Sequence, residues 1–365
     1  MPSVVPVARP GAPQPQARRL PALLWPVLAL ALLLAFNGLF TAGFFQILVR
    51  DGHLYGSLID LLNRAAPIML CALGMTLVIA TAGVDLSVGA VMAIAGSVAA
   101  YLLIGHGVPL HAAIVLTLAA CLVAGLWNGT LVAVCGVQPI VATLVLMVAG
   151  RGIAQLITGG QIPLFDTAAP AFGFIGRGHF ALLPFSITIV AGVLGVAALL
   201  TRRTALGLFI ESVGNSESAS RYAGVSARLV KLFAYGFCGL CAGVAGLIAA
   251  SNIMGADANQ SGLYMELDAI LAVVIGGTSL TGGRFSLVGA VVGALVIQAL
   301  NLTIVRRNVQ PEYNQVVKAV VVLILCLLQS AHGRTLARRG LAYLCRRLWS
   351  LVARLRGLGE RRATA

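Results

Sequence analysis

Charge is scarce in this chain. Asp, Glu, Lys and Arg make up 10% of its 365 residues, too few to solvate a globule of that length. Lysine is almost missing: Lys231 and Lys318 are the only two, and each follows valine. A P-loop needs Gly-Lys-Ser/Thr after a glycine-rich turn, so ATP hydrolysis by that route is excluded. HExxH, GxSxG and Ser/His/Asp groupings are missing too. The histidines, His53, His106, His111, His179 and His332, fall at loops or at the ends of apolar runs. The seven cysteines form no framework. Six lie in apolar runs, and Cys345 lies in a basic tail. Cys238 and Cys241 form a CxxC without the second pair or nearby histidine that a metal site needs. They read as small apolar residues in a helix. No catalytic residue, cofactor or metal is expected of the chain itself.

Long apolar runs are what the sequence has. It is 59% hydrophobic, contains 42 glycines and has a mean hydropathy of +0.97. Runs of about 18 or more apolar residues with glycine inside them describe membrane helices. Spans are expected near 22–40, 66–82, 87–104, 110–133, 139–157, 181–200, 230–250, 267–280, 286–304 and 314–331. The fold class is therefore all-α integral membrane protein, with about ten transmembrane helices and both termini cytoplasmic. The Pro-rich start, 1–21, reads as a disordered cytoplasmic segment. The transmembrane domain covers 22–331, and 332–365 is a basic cytoplasmic tail.

Basic residues test that topology. Alternating spans put Arg9, Arg18, Arg19, the five basic residues of 201–231, Arg284 and the nine arginines of the last 34 residues inside. Outside fall Arg50, Arg64, Arg177, Arg306, Arg307 and Lys318. The bias obeys the positive-inside rule. In the tail Leu341, Leu344, Leu348, Leu351, Leu355 and Leu358 recur at helical spacing, with arginines on the other side. That pattern fits an interfacial helix on anionic lipid; a solvated tail is the plain alternative. Nucleic acid is not an expected partner.

Two segments echo each other. TAGVDLSVGAVMAIAG starts at Thr81 and TGGRFSLVGAVVGALV starts at Thr281, so the bundle is expected to consist of two weakly related halves. Asp85 lies in the first. A carboxylate between apolar runs is costly and faces protein or water, or it caps the helix starting near Leu86. With Ser87 it would shape a break between spans. Arg151 would snorkel, pair with a carboxylate or touch solute. Asn63, Asn128, Gln298 and Asn301 are neutral hydrogen-bonding residues at or within spans, singly helix–helix contacts and together a path for a neutral polar solute. Gly125/Gly129, Gly239/Gly243 and Gly289/Gly293 are GxxxG pairs that let helices approach.

The segment from Thr201 to Lys231 interrupts the apolar runs with Arg202, Arg203, Arg221, Arg228 and Lys231. It is too short for a domain and carries no catalytic grouping, which leaves a docking surface. TAGVDLSVG at 81–89, ESVGNSESASRYAGV at 211–225 and LDAILAVVIGGTSLTGGRFSLVGAVVGALVIQ at 267–298 resemble the permease subunit of bacterial sugar-importing ABC transporters of the ribose/arabinose/xylose/galactose group. DLLNRAAP, LVLMVAGRG, GADAN and NQVVKAVVVL look closest to its galactofuranose-importing members.

The resemblance covers about 20–331. It implies an inner-membrane protein that moves a hexose or pentose by alternating access. The implied partners are a second permease subunit, identical or paralogous, a periplasmic sugar-binding protein, and ABC ATPase subunits that hold ATP and Mg. It also implies that 211–225 couples to the ATPase, with Glu211, Gly214, Asn215, Arg221, Ala223 and Gly224 as the coupling residues. Serines at 216, 218 and 220 depart from the family's alanines. A secondary sugar transporter or channel is the alternative, opposed by the scarcity of buried ionisable residues. An integral-membrane enzyme is opposed by the missing catalytic cluster.

Overall fold

The computed structural model describes residues 23–323, except 42, 51, 166–168, 308–309, 311–312, 314 and 322. The disordered start and the amphipathic tail expected above lie outside the described residues. The helices are α1 (Leu24–Phe40), α2 (Ser57–Ala80), α3 (Val88–Ala100), α4 (Leu110–Ala133), α5 (Pro139–Thr158), the single turn α6 (Phe174–Arg177), α7 (Phe185–Arg203), α8 (Leu206–Asn215), α9 (Glu217–Tyr222), α10 (Ala227–Ile253), α11 (Met265–Ile275) and α12 (Leu287–Arg306). A π-helical turn, Tyr101–Gly105, extends α3. Residues 315–321 are helical. Two antiparallel hairpins, β1 (Leu48–Arg50) with β2 (His53–Tyr55) and β3 (His179–Phe180) with β4 (Leu183–Pro184), decorate one end.

Among the described residues seven helices are long and apolar enough to cross a membrane: α2, α3 with its turn, α4, α5, α7, α10 and α12. The chain is a multi-pass, all-α membrane protein. Helix α2 is its axis. It packs against α10, α12, α11 and α7, and Leu70, Leu73, Met75, Leu77 and Ile79 are among its fully buried side chains. A helix apolar all round belongs in such a place. Helices α4, α5 and α7 instead expose valine and leucine faces.

Glycine sets the closest contacts. A Cβ on Gly239 would lie 2.9 Å from the Cα of Gly125, and one on Gly125 would lie 3.1 Å from the Cα of Gly239. Two of the expected GxxxG pairs therefore face each other across α4 and α10. The third, Gly289/Gly293, faces Gly276 and Ala272 at the α11–α12 crossing. Hydrocarbon outside the bundle offers helices no hydrophobic drive to associate, so this contact area matters.

Two spans differ from expectation. Helix α2 begins at Ser57 rather than near 66, because Asp60, Asn63 and Arg64 occupy its first turns instead of a preceding loop. The expected span 267–280 is only the 11-residue α11. At 1.5 Å per residue it reaches about 16 Å, roughly half of the hydrocarbon thickness.

Contacts sort the connections into two ends. At one end Leu54 N–H donates to Leu182 O at 3.1 Å, and the His53 and His179 rings stack at 4.5 Å. Burial pushes the His179 imidazole below its ordinary pKa, and His53 adds to the effect. Arg306 donates to Ser57 Oγ there, and Arg307 lies over Phe36 and Phe40. At the other end 80–83, α8 and 281–283 converge. This is the grouping that alternating spans require.

Candidate functional site

The two sequence echoes meet. Each follows an apolar helix, α2 or α11, with a glycine-containing turn and then a second helix, α3 or α12. Ala82 and Gly282 sit at matching positions and both have positive φ, 61° and 87°. A Cβ on Gly282 would lie 2.9 Å from that of Ala82, so the turns touch. Gly283 N–H donates to Ala80 O at 2.9 Å. Gly214, at the end of α8, is buried in the same junction, with no room for a Cβ between the Ala80 carbonyl and Gly283 N. The resemblance put Gly214 among the coupling residues of 211–225, beside residues of an exposed docking surface. Gly214 is instead buried, and the space where its Cβ would lie is taken by the backbone of both turns.

Beyond the first turn the chain runs non-helically through 84–87 before α3. The Tyr235 hydroxyl donates to Val84 O at 3.3 Å. Asp85 is 1% exposed. Its Oδ1 accepts from the Ser87 N–H at 2.9 Å, the Ser87 hydroxyl at 2.6 Å and Asn128 Nδ2 at 3.3 Å, and Asn128 also donates to Ser87 Oγ at 2.8 Å. The expected cap is thus displaced: α3 begins at Val88 and Ser87 holds the N-cap position. Asp85 instead fixes the turn leading into it and ties that turn to α4. Asp85→Asn keeps an acceptor oxygen and should transport and unfold nearly as wild type. Asp85→Ala strands buried donors, each worth about 1–3 kcal/mol, and should lower the unfolding temperature of the detergent-solubilised protein and cut uptake. Equal behaviour of the two variants would contradict the assignment.

The crossing segment is built in two pieces. Ser216 caps α9, accepting from Ala219 N–H at 3.3 Å. Glu217 bridges Arg221 within α9 and Lys231 on α10, both at 2.6 Å. Hydrogen bonding from Lys231 holds its carboxyl below the usual range. Asn215, Arg221, Ala223 and Gly224 are exposed, and Gly224, at φ +83°, closes the segment. Glu211 is half-buried and lines, with Arg202, a cleft of about 600 Å³ between α7, α8 and the start of α12. Tyr222, which sequence reasoning passed over, is 95% exposed. A large aromatic so open on a short, braced helix is the clearest docking signal in the segment.

The remaining candidates separate. Asn63 accepts from the Ser186 hydroxyl at 2.5 Å and joins α2 to α7, a helix–helix contact. Gln298 is half-buried on α12. Asn301 lies on α12 with its buried Oδ1 unpartnered among the described residues, and the Asp268 carboxylate on α11 holds Lys318 Nζ at 2.9 and 3.0 Å. Lys318, expected outside, is 8% exposed within the bundle. Its charge can stay there only because Asp268 neutralises it. Asp268 lay inside an expected span and carried the same signal as Asp85, but it was overlooked.

Among the described residues Arg151 forms no ion pair within 4 Å and turns to backbone instead. Its Nη1 donates to Ala258 O at 3.0 Å and Ser261 O at 2.6 Å. These carbonyls belong to 254–264, a non-helical stretch between α10 and α11. Ala258 packs among Ala93, Ile94 and Ala154 of the spans α3 and α5, so the stretch lies at membrane depth. Irregular backbone survives there only inside protein or along water.

Comparison with known proteins supplies the family. Residues 57–326 match the family described as branched-chain amino acid transport system / permease component. The galactofuranose transporter permease protein of Escherichia coli is 51% identical, over 90% of this chain and 95% of its own length. The fructose import permease protein of Bifidobacterium longum is 39% identical over 84% and 87%. The ribose import permease protein of Escherichia coli is 36% identical over 83% and 92%. Likeness at this level, over nearly the full length of each relative, makes the chain a member of that family of membrane permease components.

Proposed function

We propose that the chain is the membrane-spanning subunit of an ATP-driven importer of a monosaccharide, a hexose or pentose such as galactofuranose, in a bacterial inner membrane. The observation that carries this is the junction at Gly214, where an exposed crossing helix reaches both related turns at once. ATPase subunits docked on α9 move α8. Through Gly214 that motion bears on the ends of α2 and α11 and the starts of α3 and α12, and through Glu217–Lys231 it bears on α10. Such a linkage suits alternating access, with ATP and Mg bound and hydrolysed by the partners. A periplasmic binding protein delivers sugar to the other end, and a second permease subunit, a copy or a relative, completes the passage. On this reading the end holding α8 and α9 is cytoplasmic. Interfacial binding of the basic tail to anionic lipid belongs to the same proposal.

Docking is testable at Tyr222. Exposed aromatics at such contacts are worth about 2 kcal/mol or more. Tyr222→Ala should leave the chain inserted, weaken co-purification of the ATPase subunits and lower uptake at least about tenfold. Uptake that survives deletion of the ATPase gene but collapses with the proton gradient would replace this reading with a secondary transporter.

A further inference from the structure

The break ahead of α11 exposes a polar face where lipid cannot lie. Met254 and Tyr264, which bracket it, both have positive φ, 51° and 61°, a conformation that side chains adopt reluctantly and that clusters at working sites. Gly262 packs backbone to backbone on Gly89, next to Glu266, so no side chain can widen the seam. Arg151 pins the carbonyls of 258 and 261, and Asp257 Oδ1 accepts from the N–H groups of Asn259 and Gln260 at 2.8 and 3.0 Å. These bonds satisfy part of the irregular backbone internally. At this face Asn259, Gln260 and Tyr264 of the stretch and Gln155 of α5 are exposed, Glu266 is half-buried, and Leu263 is exposed beside them. Gln155 Nε2 donates to Asn259 Oδ1 at 2.6 Å, which leaves the other amide atoms free to bond elsewhere.

Hydrocarbon would charge several kcal/mol for such a face, so it must meet water or protein. Its chemistry narrows the choice. Among the described residues the cation at this face, Arg151, is occupied by backbone. What remains is a carboxylate, amides that both donate and accept, and a phenol ring. An inorganic anion would meet Glu266, and an apolar solute would strand every polar group. A sugar suits all of them: its hydroxyls donate to a carboxylate and exchange bonds with amides, and its C–H face lies on an aromatic ring.

Resting on the function proposed above, we infer that the stretch 257–266 is the part of this chain that handles the passing sugar. Glu266 and the Gln155–Asn259 pair engage its hydroxyls, Tyr264 lies against its ring, and Arg151 positions the stretch without touching the solute.

Two measurements on the assembled complex of permease, ATPase and binding protein test it. In the first, Asn259→Cys is exposed to a membrane-impermeant cationic thiol reagent. It should label at least about tenfold faster than Val123→Cys on an exposed apolar face of α4, because thiolate reacts only where water reaches it. Equal, slow labelling of both would mean that a partner or a second permease subunit seals the face dry, and would overturn the inference.

In the second, uptake is followed with whichever of radiolabelled D-galactose, D-ribose and D-fructose the wild-type complex accumulates. Glu266→Gln should lower uptake about tenfold or more, the loss expected for one charged hydrogen bond. ATP hydrolysis should stay within about twofold and ATPase co-purification should be unchanged. Unchanged uptake in Glu266→Gln overturns the inference while the proposed function stands. A wild-type chain that never binds the ATPase subunits overturns the function itself.

Discussion

Gly214→Leu is expected to abolish transport and to lower the stability of the purified permease. The position has no slack. A Cβ there overlaps the Ala80 carbonyl and comes within 2.5 Å of Gly283 N, and those two groups are hydrogen-bonded to each other at 2.9 Å. Neither obstacle is a side chain that could rotate away. The two turns must part, the Ala80–Gly283 bond must break, and the link between α8 and the related halves is lost. Overpacking costs about 1–3 kcal/mol in an ordinary core, and an immovable backbone puts this case at the upper end. Even Gly214→Ala should cost measurable stability, although alanine is the better helix former. Gly192 on α7, with nothing within 4 Å of its would-be Cβ, is the control: Gly192→Leu should be harmless. Thermal unfolding in detergent and sugar uptake in cells decide between them. Wild-type transport by Gly214→Leu would remove the junction from the mechanism.

Lys318→Met should destabilise the protein by about 3–5 kcal/mol, the cost of leaving a buried partner charge unpaired. Asp268 would remain buried in the bundle without the ammonium that its two carboxylate oxygens hold. Asp268→Leu should fail by a similar amount, leaving an ammonium among apolar helices. The double variant Asp268→Leu/Lys318→Met should recover most of the stability, since replacing a buried pair with apolar groups of similar volume is often neutral or better. A double-mutant cycle on unfolding temperature and on membrane yield reads this coupling. Additive losses would show that the 2.9 Å contact is not what holds the last described helical stretch to α11.

The cysteines, glycines and spans show how far sequence carried. Gly125/Gly129 and Gly239/Gly243 were legible as close-packing pairs, and they pack on each other. Asp85 and Ser87 were picked together and Asn128 apart from them, and the three form one network. Lys318 was placed outside and the partner of Arg151 was left open for the same reason: a charge in an apolar run declares that it needs a partner, but not where that partner is. For Arg151 the partners are backbone carbonyls more than a hundred residues away, which leave no mark in composition. The 267–280 span looked continuous because hydropathy counts side chains and is blind to the backbone, which leaves the helix after Ile275 and takes a φ of 90° at Gly277.

By itself, then, the sequence determined that this chain has many long apolar runs, that neither of its lysines sits in a Gly-Lys-Ser/Thr motif, that its basic segment breaks the runs midway, and that two stretches 200 residues apart echo each other. Those are properties of composition, order and local pattern. Tertiary structure alone decided that the repeated turns touch, that Gly214 is the wedge between them, that Tyr222 is left bare, and that a polar, irregular stretch lies at membrane depth. Each of these depends on which backbones come within van der Waals distance of each other, and a one-dimensional pattern does not contain that distance.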